Sequence, residues 1–150
     1  MLTDSPHNPL TREIIGAAIE VHRVLGPGLL ESAYLRALQF ELASRNLRFV
    51  RQTVIPMAYK GTNLGTSYRV DLIVEDRIVV EVKAVEKVLP VHKAQVLTYL
   101  RLTACPFGLL INFNVAKLID GVYRLVNPLL SKGNQPEDAG PAEEPKTAEG

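Results

Sequence analysis

The sequence predicts an α/β domain of the α+β kind, with helices packed on a sheet that contains a three-strand antiparallel meander. Three observations carry this expectation. Apolar residues recur at helical spacing from Thr11 to Leu42, they alternate with polar ones from Phe49 to Val85, and a further helical stretch leads into the continuous apolar run Phe107 to Phe113.

Residues 1–10 hold two prolines and read as an extended lead-in. From Thr11, the positions Ile14, Ile15, Ala18, Val21 and Leu25 form a helical stripe, with Thr11 as cap and Glu13 in the first turn. His22 lies at the edge of that stripe, where a packing or capping histidine is the more common case and a ligand the rarer one. Gly26-Pro-Gly28 breaks the chain, and Leu30, Tyr34, Leu38 and Leu42 then form an i, i+4 series for a second helix. The first strand is Phe49 to Tyr59, turned by Lys60 to Gly65; the meander continues with Val70 to Val74, a turn at 75–77, and Ile78 to Val85.

Pro90 suits the first turn of a third helix running to about Thr103, with Val96, Leu97 and Leu100 packing inward and His92, Gln95 and Tyr99 sharing another face. Phe107 to Phe113 reads as a strand buried on both faces, and Gly121 to Val126 as the last strand. Residues 131–150 contain no large apolar side chain and are expected to be a disordered acidic tail. The folded domain is therefore 11–130.

With 150 residues, the chain has room for one domain and one core. The net charge of +1 divides into −3 for the last twenty residues and +4 for the rest. That mild basic bias admits an anionic ligand without the charge density that marks a nucleic-acid binder by itself. Cys105 is alone, which excludes an intrachain disulfide and a multi-cysteine zinc site and suits a reducing compartment. The start has no basic segment followed by an apolar one, and no apolar run reaches spanning length, so the expected location is the cytoplasm, with no membrane partner.

Chemistry concentrates in the second and third strands of the meander. Period two puts Glu81 and Lys83 on one face, and the hairpin brings Asp71 beside Glu81. Two carboxylates can bind a hard divalent cation while leaving positions for water and phosphate, and a lysine one pleat along can orient that water or stabilise a developing oxyanion. The competing reading is a solvated strand face with a weak ion pair. Glu31 in the second helix can add a third carboxylate or merely complement the helix dipole. Gln95 and Tyr99 can reach a ligand at the charged edge of the sheet or be ordinary surface residues.

Gly26-Pro-Gly28-Leu-Leu-Glu31-Ser-Ala-Tyr34 resembles the signature of the bacterial GxxExxY proteins, matching at Gly28, Glu31 and Tyr34. Arg69-Val-Asp71, Glu81-Val-Lys83-Ala84, the segment Leu89 to Leu100 with Pro90, His92, Gln95 and Tyr99, and Gly108-Leu-Leu-Ile-Asn112-Phe113 fit the same pattern; together they cover about Ile14 to Asn127. That family is grouped with the PD-(D/E)XK nuclease-like fold, a mixed central sheet flanked by helices. The resemblance implies Asp71 and Glu81 as ligands of Mg²⁺ or Mn²⁺, joined by Glu31 from the helix, and Lys83 as the water-orienting or charge-stabilising residue. It likens Gln95-x-x-x-Tyr99 to the motif beside the active site of RecB-type exonucleases. No proline precedes Asp71, where Val70 stands, and that proline is often absent in the superfamily.

Two functions follow as expectations. The first is a metal-dependent nuclease hydrolysing the phosphodiester bonds of DNA or RNA. The second is an inactive nuclease-like module that binds nucleic acid or a protein partner, favoured by small size and few aromatics. Hydrolysis of a small phosphorylated molecule is a third. Oligomeric state is not read from the sequence.

Overall fold

A computed structural model describes residues 5–130. The chain forms helix α1 (Pro9–Leu25), helix α2 (Glu31–Ser44), strands β1 (Phe49–Tyr59), β2 (Thr62–Val74) and β3 (Ile78–Lys83), helix α3 (Pro90–Thr103), strand β4 (Phe107–Asn112), a short 3-10 helix (Leu118–Gly121) and strand β5 (Val122–Val126). The strands lie in the order β1-β2-β3-β4-β5. The β3–β4 pair is parallel, bridged by α3, and the other pairs are antiparallel. This is the expected mixed sheet.

Three layers result. Ile14, Ala18 and Val21 of α1 and Tyr34, Leu38 and Leu42 of α2 pack on one sheet face against Leu72, Val80, Val82, Leu109 and Ile111. Val96, Tyr99 and Leu100 of α3 cover the other face over Val70, Val79 and Leu110. Gly108 permits the close approach of α3, since a Cβ there would lie 2.9 Å from Val96 Cγ1. All six residues of β4 are buried, as its unbroken apolar run requires.

Several boundaries differ from the sequence expectation for identifiable reasons. Helix α1 begins at Pro9: Asn8 is its cap, accepting from Thr11 N–H at 2.8 Å, while Thr11 is buried inside the first turn. Glu13 lies beyond that turn and pairs with Arg45 at 3.2 Å. Leu30 caps α2 and is 76% exposed, so the packing stripe starts at Tyr34. The turn after β1 is only Lys60-Gly61, both at positive φ (50° and 81°), and β2 begins at Thr62. The polar segment Thr62 to Ser67 is a strand because it pairs with β1, although it buries nothing. Strand β3 stops at Lys83, short of Val85, and Gly121 belongs to the 3-10 turn, where a Cβ would meet Asn112 O at 2.1 Å. The tail of 131–150 and the first four residues of the lead-in lie outside the described residues.

Strand β2 also changes face. Val70 packs on the α3 side whereas Leu72 and Val74 pack on the α1–α2 side, so Val70 and Leu72 do not share a face as simple alternation demands. Pairing keeps one register across the break, Arg51 with Leu72 and Thr53 with Val70, and Gln52 between them is left-handed at φ 52°. The strand is therefore twisted locally at Asp71, without an inserted residue.

Candidate active site

The β2–β3 ladder runs from Val74–Ile78 to Leu72–Val80 and then gives way to side chains. Asp71 Oδ2 accepts from Val82 N–H at 2.9 Å, and Glu81 Oε1 accepts from Asp71 N–H at 3.5 Å. Each carboxylate is thus held by backbone of the opposite strand. Glu81 is only 6% exposed and Asp71 is half-buried, so the solvated-face reading fails for Glu81. The ion pairs of the described residues lie elsewhere, at Glu20–Arg23, Glu13–Arg45 and Glu75–Arg48. Lys83 shares the face of Glu81 without closing such a pair.

Burial and mutual repulsion govern the protonation of the two acids. Burial, then the charge of Asp71 and that of Glu31, push Glu81 up to about 8, against the opposing pull of Lys83 and the Asp71 N–H. Asp71 is raised as well, chiefly by burial, with Glu31 adding and the Val82 N–H and Lys83 opposing. Two acids that resist ionisation side by side are a site short of positive charge.

Glu31 reaches this end of the sheet from α2. Its Oε2 accepts from Ala84 N–H at 3.4 Å, immediately past Lys83. The preceding loop is fixed by Tyr34, whose hydroxyl donates to Gly26 O and accepts from Leu29 N–H at 3.1 Å, while its ring stacks on Phe113 with centroids 4.6 Å apart. Gly28, at φ 100°, makes that loop possible. Among the described residues, however, no three His, Cys, Asp or Glu side chains gather closely enough to hold a metal ion, so Glu31 does not complete a three-carboxylate cluster.

The far side of the site is fixed by β4 and α3. Phe113 N–H donates to Lys83 O at 2.9 Å, and buried Asn112 clamps Val85, accepting from its N–H at 3.0 Å and donating to its C=O at 2.9 Å. Tyr99 is 3% exposed, and burial, then Glu81, Asp71 and Tyr68, push its hydroxyl up to about 12. It stays a proton donor in the field of both carboxylates. Its ring meets Tyr68 edge-on at 5.8 Å. Gln95 is half-buried one turn before it on α3.

His92 belongs to this environment too, although the sequence singles it out only as a face-mate of Gln95 and Tyr99. Its Nδ1 accepts from Leu89 N–H at 2.9 Å, which puts the proton of the neutral ring on Nε2. Burial and Lys83 hold its pKa down while Glu31 opposes. The spacing of three between His92 and Gln95 is the signal that marks it. His22, by contrast, is a packing residue: Nε2 donates to Val115 O at 2.8 Å, and its ring lies 6.5 Å from that of Phe113.

The family profile of the PD-(D/E)XK nuclease superfamily matches residues 8–125, and the chain belongs to that superfamily. No curated protein and no solved structure matches it. Nucleases of this superfamily typically use divalent metals. The donor set fits one: Asp71 and Glu81 offer carboxylate oxygens whose raised pKa values a dication would reverse, and Mg²⁺ is commonly held by one or two carboxylates with water and phosphate completing its shell. No helix among the described residues is long and apolar enough to cross a membrane.

Proposed function

We propose that this protein is a metal-dependent nuclease that hydrolyses phosphodiester bonds, with Asp71 and Glu81 holding Mg²⁺ or Mn²⁺. The observation that carries the reading is the adjacent pair of half-buried Asp71 and buried Glu81, to which no cation among the described residues is ion-paired. A bound dication supplies charge neutralisation at the phosphate and a more acidic water. Lys83 stabilises the negative charge that develops on the phosphate and helps to orient the attacking water. Tyr99 and Gln95 present donors from α3, and Glu31 adds negative charge that strengthens cation binding at the edge of β3. DNA or RNA is the substrate class, and the buried free thiol of Cys105 suits a cytoplasmic setting. The Gly28, Glu31 and Tyr34 spacing supports placement among the GxxExxY proteins, with Tyr34 serving the loop rather than the chemistry.

A second reading, a nuclease-like module that binds nucleic acid or a protein partner without turnover, is favoured by the position of Glu31 at Ala84 and outside a three-ligand cluster. One experiment decides. Purified protein with Mg²⁺ or Mn²⁺ is assayed on single-stranded, duplex and structured nucleic acids, with EDTA, Asp71→Asn and Lys83→Ala as controls. Cleavage that disappears in all three controls supports the nuclease; retention of substrate without cleavage supports the module; cleavage surviving in Lys83→Ala overturns the assignment.

A further inference from the structure

The β1–β2 hairpin is longer than the sheet needs. Strands β2 and β3 are antiparallel, with Leu72 opposite Val80, so extending the register sets Arg69 level with Lys83, the last residue of β3. Thr62 to Tyr68 therefore run past the end of β3 with β1 as their partner strand. At roughly 3.3 Å per residue, that overhang is about 20 Å. It projects from the end of the sheet at which Asp71, Glu81 and Lys83 lie, because residues before Asp71 on β2 continue in the direction in which β3 terminates. Its base is seated beside the site, where Tyr68 meets Tyr99 edge-on.

The ribbon's chemistry is one-signed. From Phe49 to Val70 there is no acidic residue, while Arg51, Lys60 and Arg69 are present and exposed. At the tip, Lys60 Nζ lies 5.4 Å from the ring centroid of Tyr59, itself 60% exposed. Val54, Leu64 and Tyr59 are exposed as well, so the ribbon is finished neither as a core element nor as an ordinary acidic-basic surface. Pairing with a second copy through the free edge of β1 is disfavoured by the strand itself. Pro56 offers no N–H, and the register shifts between Pro56 and Ala58.

We propose, building on the nucleic-acid reading of the site, that this ribbon grips the phosphate backbone of the substrate beside the bond presented to Asp71, Glu81 and Lys83. Its cations contact phosphates and its exposed aromatic and apolar side chains lie against sugar or base. A body with a charge of only +4 thereby obtains local positive charge where a polyanion must approach.

The test uses the full chain in EDTA, with fluorescence anisotropy of a labelled duplex and its single strand across a salt series. The variants are Lys60→Ala/Arg69→Ala and, as a control of equal charge type, Arg101→Ala at the end of α3. Each phosphate contact contributes about 0.9 to the slope of log K against log salt on duplex DNA, so the double variant should flatten that slope by about 1.8, and Arg101→Ala should not change it. Hydrolysis of bis(4-nitrophenyl) phosphate with Mn²⁺, a substrate too small to reach from the site to the ribbon's tip, should be the same in wild type and in the single variant Lys60→Ala. An unchanged salt slope in the double variant overturns the proposal, as does a shift in its sedimentation mass, which would show that the ribbon joins two copies. Wild type that binds neither nucleic acid yet hydrolyses the small diester overturns the ribbon's role while sparing the phosphodiesterase; failure of both takes the two readings together.

Discussion

The ladder between β2 and β3 is flanked by acidic residues at both ends, and the two ends treat them oppositely. At the turn, Glu75 accepts from Arg48 N–H at 2.7 Å and pairs with the Arg48 guanidinium at 3.0 Å, and the backbone hydrogen bond first, then the ion pair, lower its pKa. At the other end, buried Glu81 lies beside half-buried Asp71, and both are raised. A charge that serves the fold is matched by the fold. The Asp71–Glu81 pair has no such ion-pair partner among the described residues, and on the proposed reading a dication supplies it; four measurements can break or sharpen that contrast.

The largest effect concerns turnover. Asp71→Asn or Glu81→Gln should lower metal-dependent cleavage by at least about 10²–10³-fold, through loss of a ligand carboxylate, and Lys83→Ala by a similar factor. Glu75→Gln should cleave at close to the wild-type rate. Equal losses at both ends would mean that the two acids differ only in burial, and the contrast would dissolve.

Metal-linked stability comes next. Mg²⁺ or Mn²⁺ at a hundred times its dissociation constant should stabilise the folded wild type by about 2.7 kcal/mol. For a chain of this length, 1 kcal/mol corresponds to roughly 2–4 °C, so the melting temperature should rise by several degrees. Glu75→Gln should keep the whole increment and Asp71→Asn should lose most of it. A wild type indifferent to both ions in calorimetry would remove the metal from the site.

The third measurement is the pH dependence of the metal-free protein. A carboxyl raised from its ordinary 4.5 to about 8 binds its proton more tightly when folded, so its contribution to stability is complete below pH 4.5 and is lost as pH rises to about 8. Glu81→Gln should therefore melt higher than wild type at pH 8, by at least the roughly 2–4 °C that 1 kcal/mol represents, and should converge with it near pH 4. A wild-type melting curve flat across that window would show that Glu81 is compensated after all.

Smallest is the effect of Glu75→Gln on stability. The pair with Arg48 is solvent-facing, so its loss should produce a drop in melting temperature smaller than any shift above, and one that shrinks further in high salt. A large drop would identify the turn as a keystone of the hairpin.

Much of the fold is legible from periodicity, because helices α1 to α3 and strands β1, β3 and β4 each expose one regular pattern to solvent or core. What escaped depends on partners distant in sequence. The first half of β2 is polar and glycine-bearing and is a strand only by virtue of β1. The break at Asp71 falls opposite Gln52, which is left-handed at φ 52°. One miss is local: Asn8 caps α1 and Pro9 opens its first turn, a signal that stands in the sequence itself. In the site, Asp71, Glu81 and Lys83 could be grouped by pairing and pleat alone. The depth of Glu81 could not, since it depends on α3 covering that sheet face, and neither could the tether of Glu31 to Ala84 or the hydrogen bonds of Tyr34 across eight residues.

The parallel pairing of β3 with β4 has a kinetic consequence. Asp71 and Glu81 are ten residues apart and meet as soon as a local hairpin closes, whereas β4 cannot join until the segment containing α3 has crossed the sheet. On that order the two acids should meet while still hydrated, when their repulsion is weak, and lose water as α3 packs Tyr99 against the sheet. The step sensitive to proton or cation concentration should then be the docking of α3, while hairpin formation runs at the same rate in either condition, which stopped-flow refolding at two pH values would check.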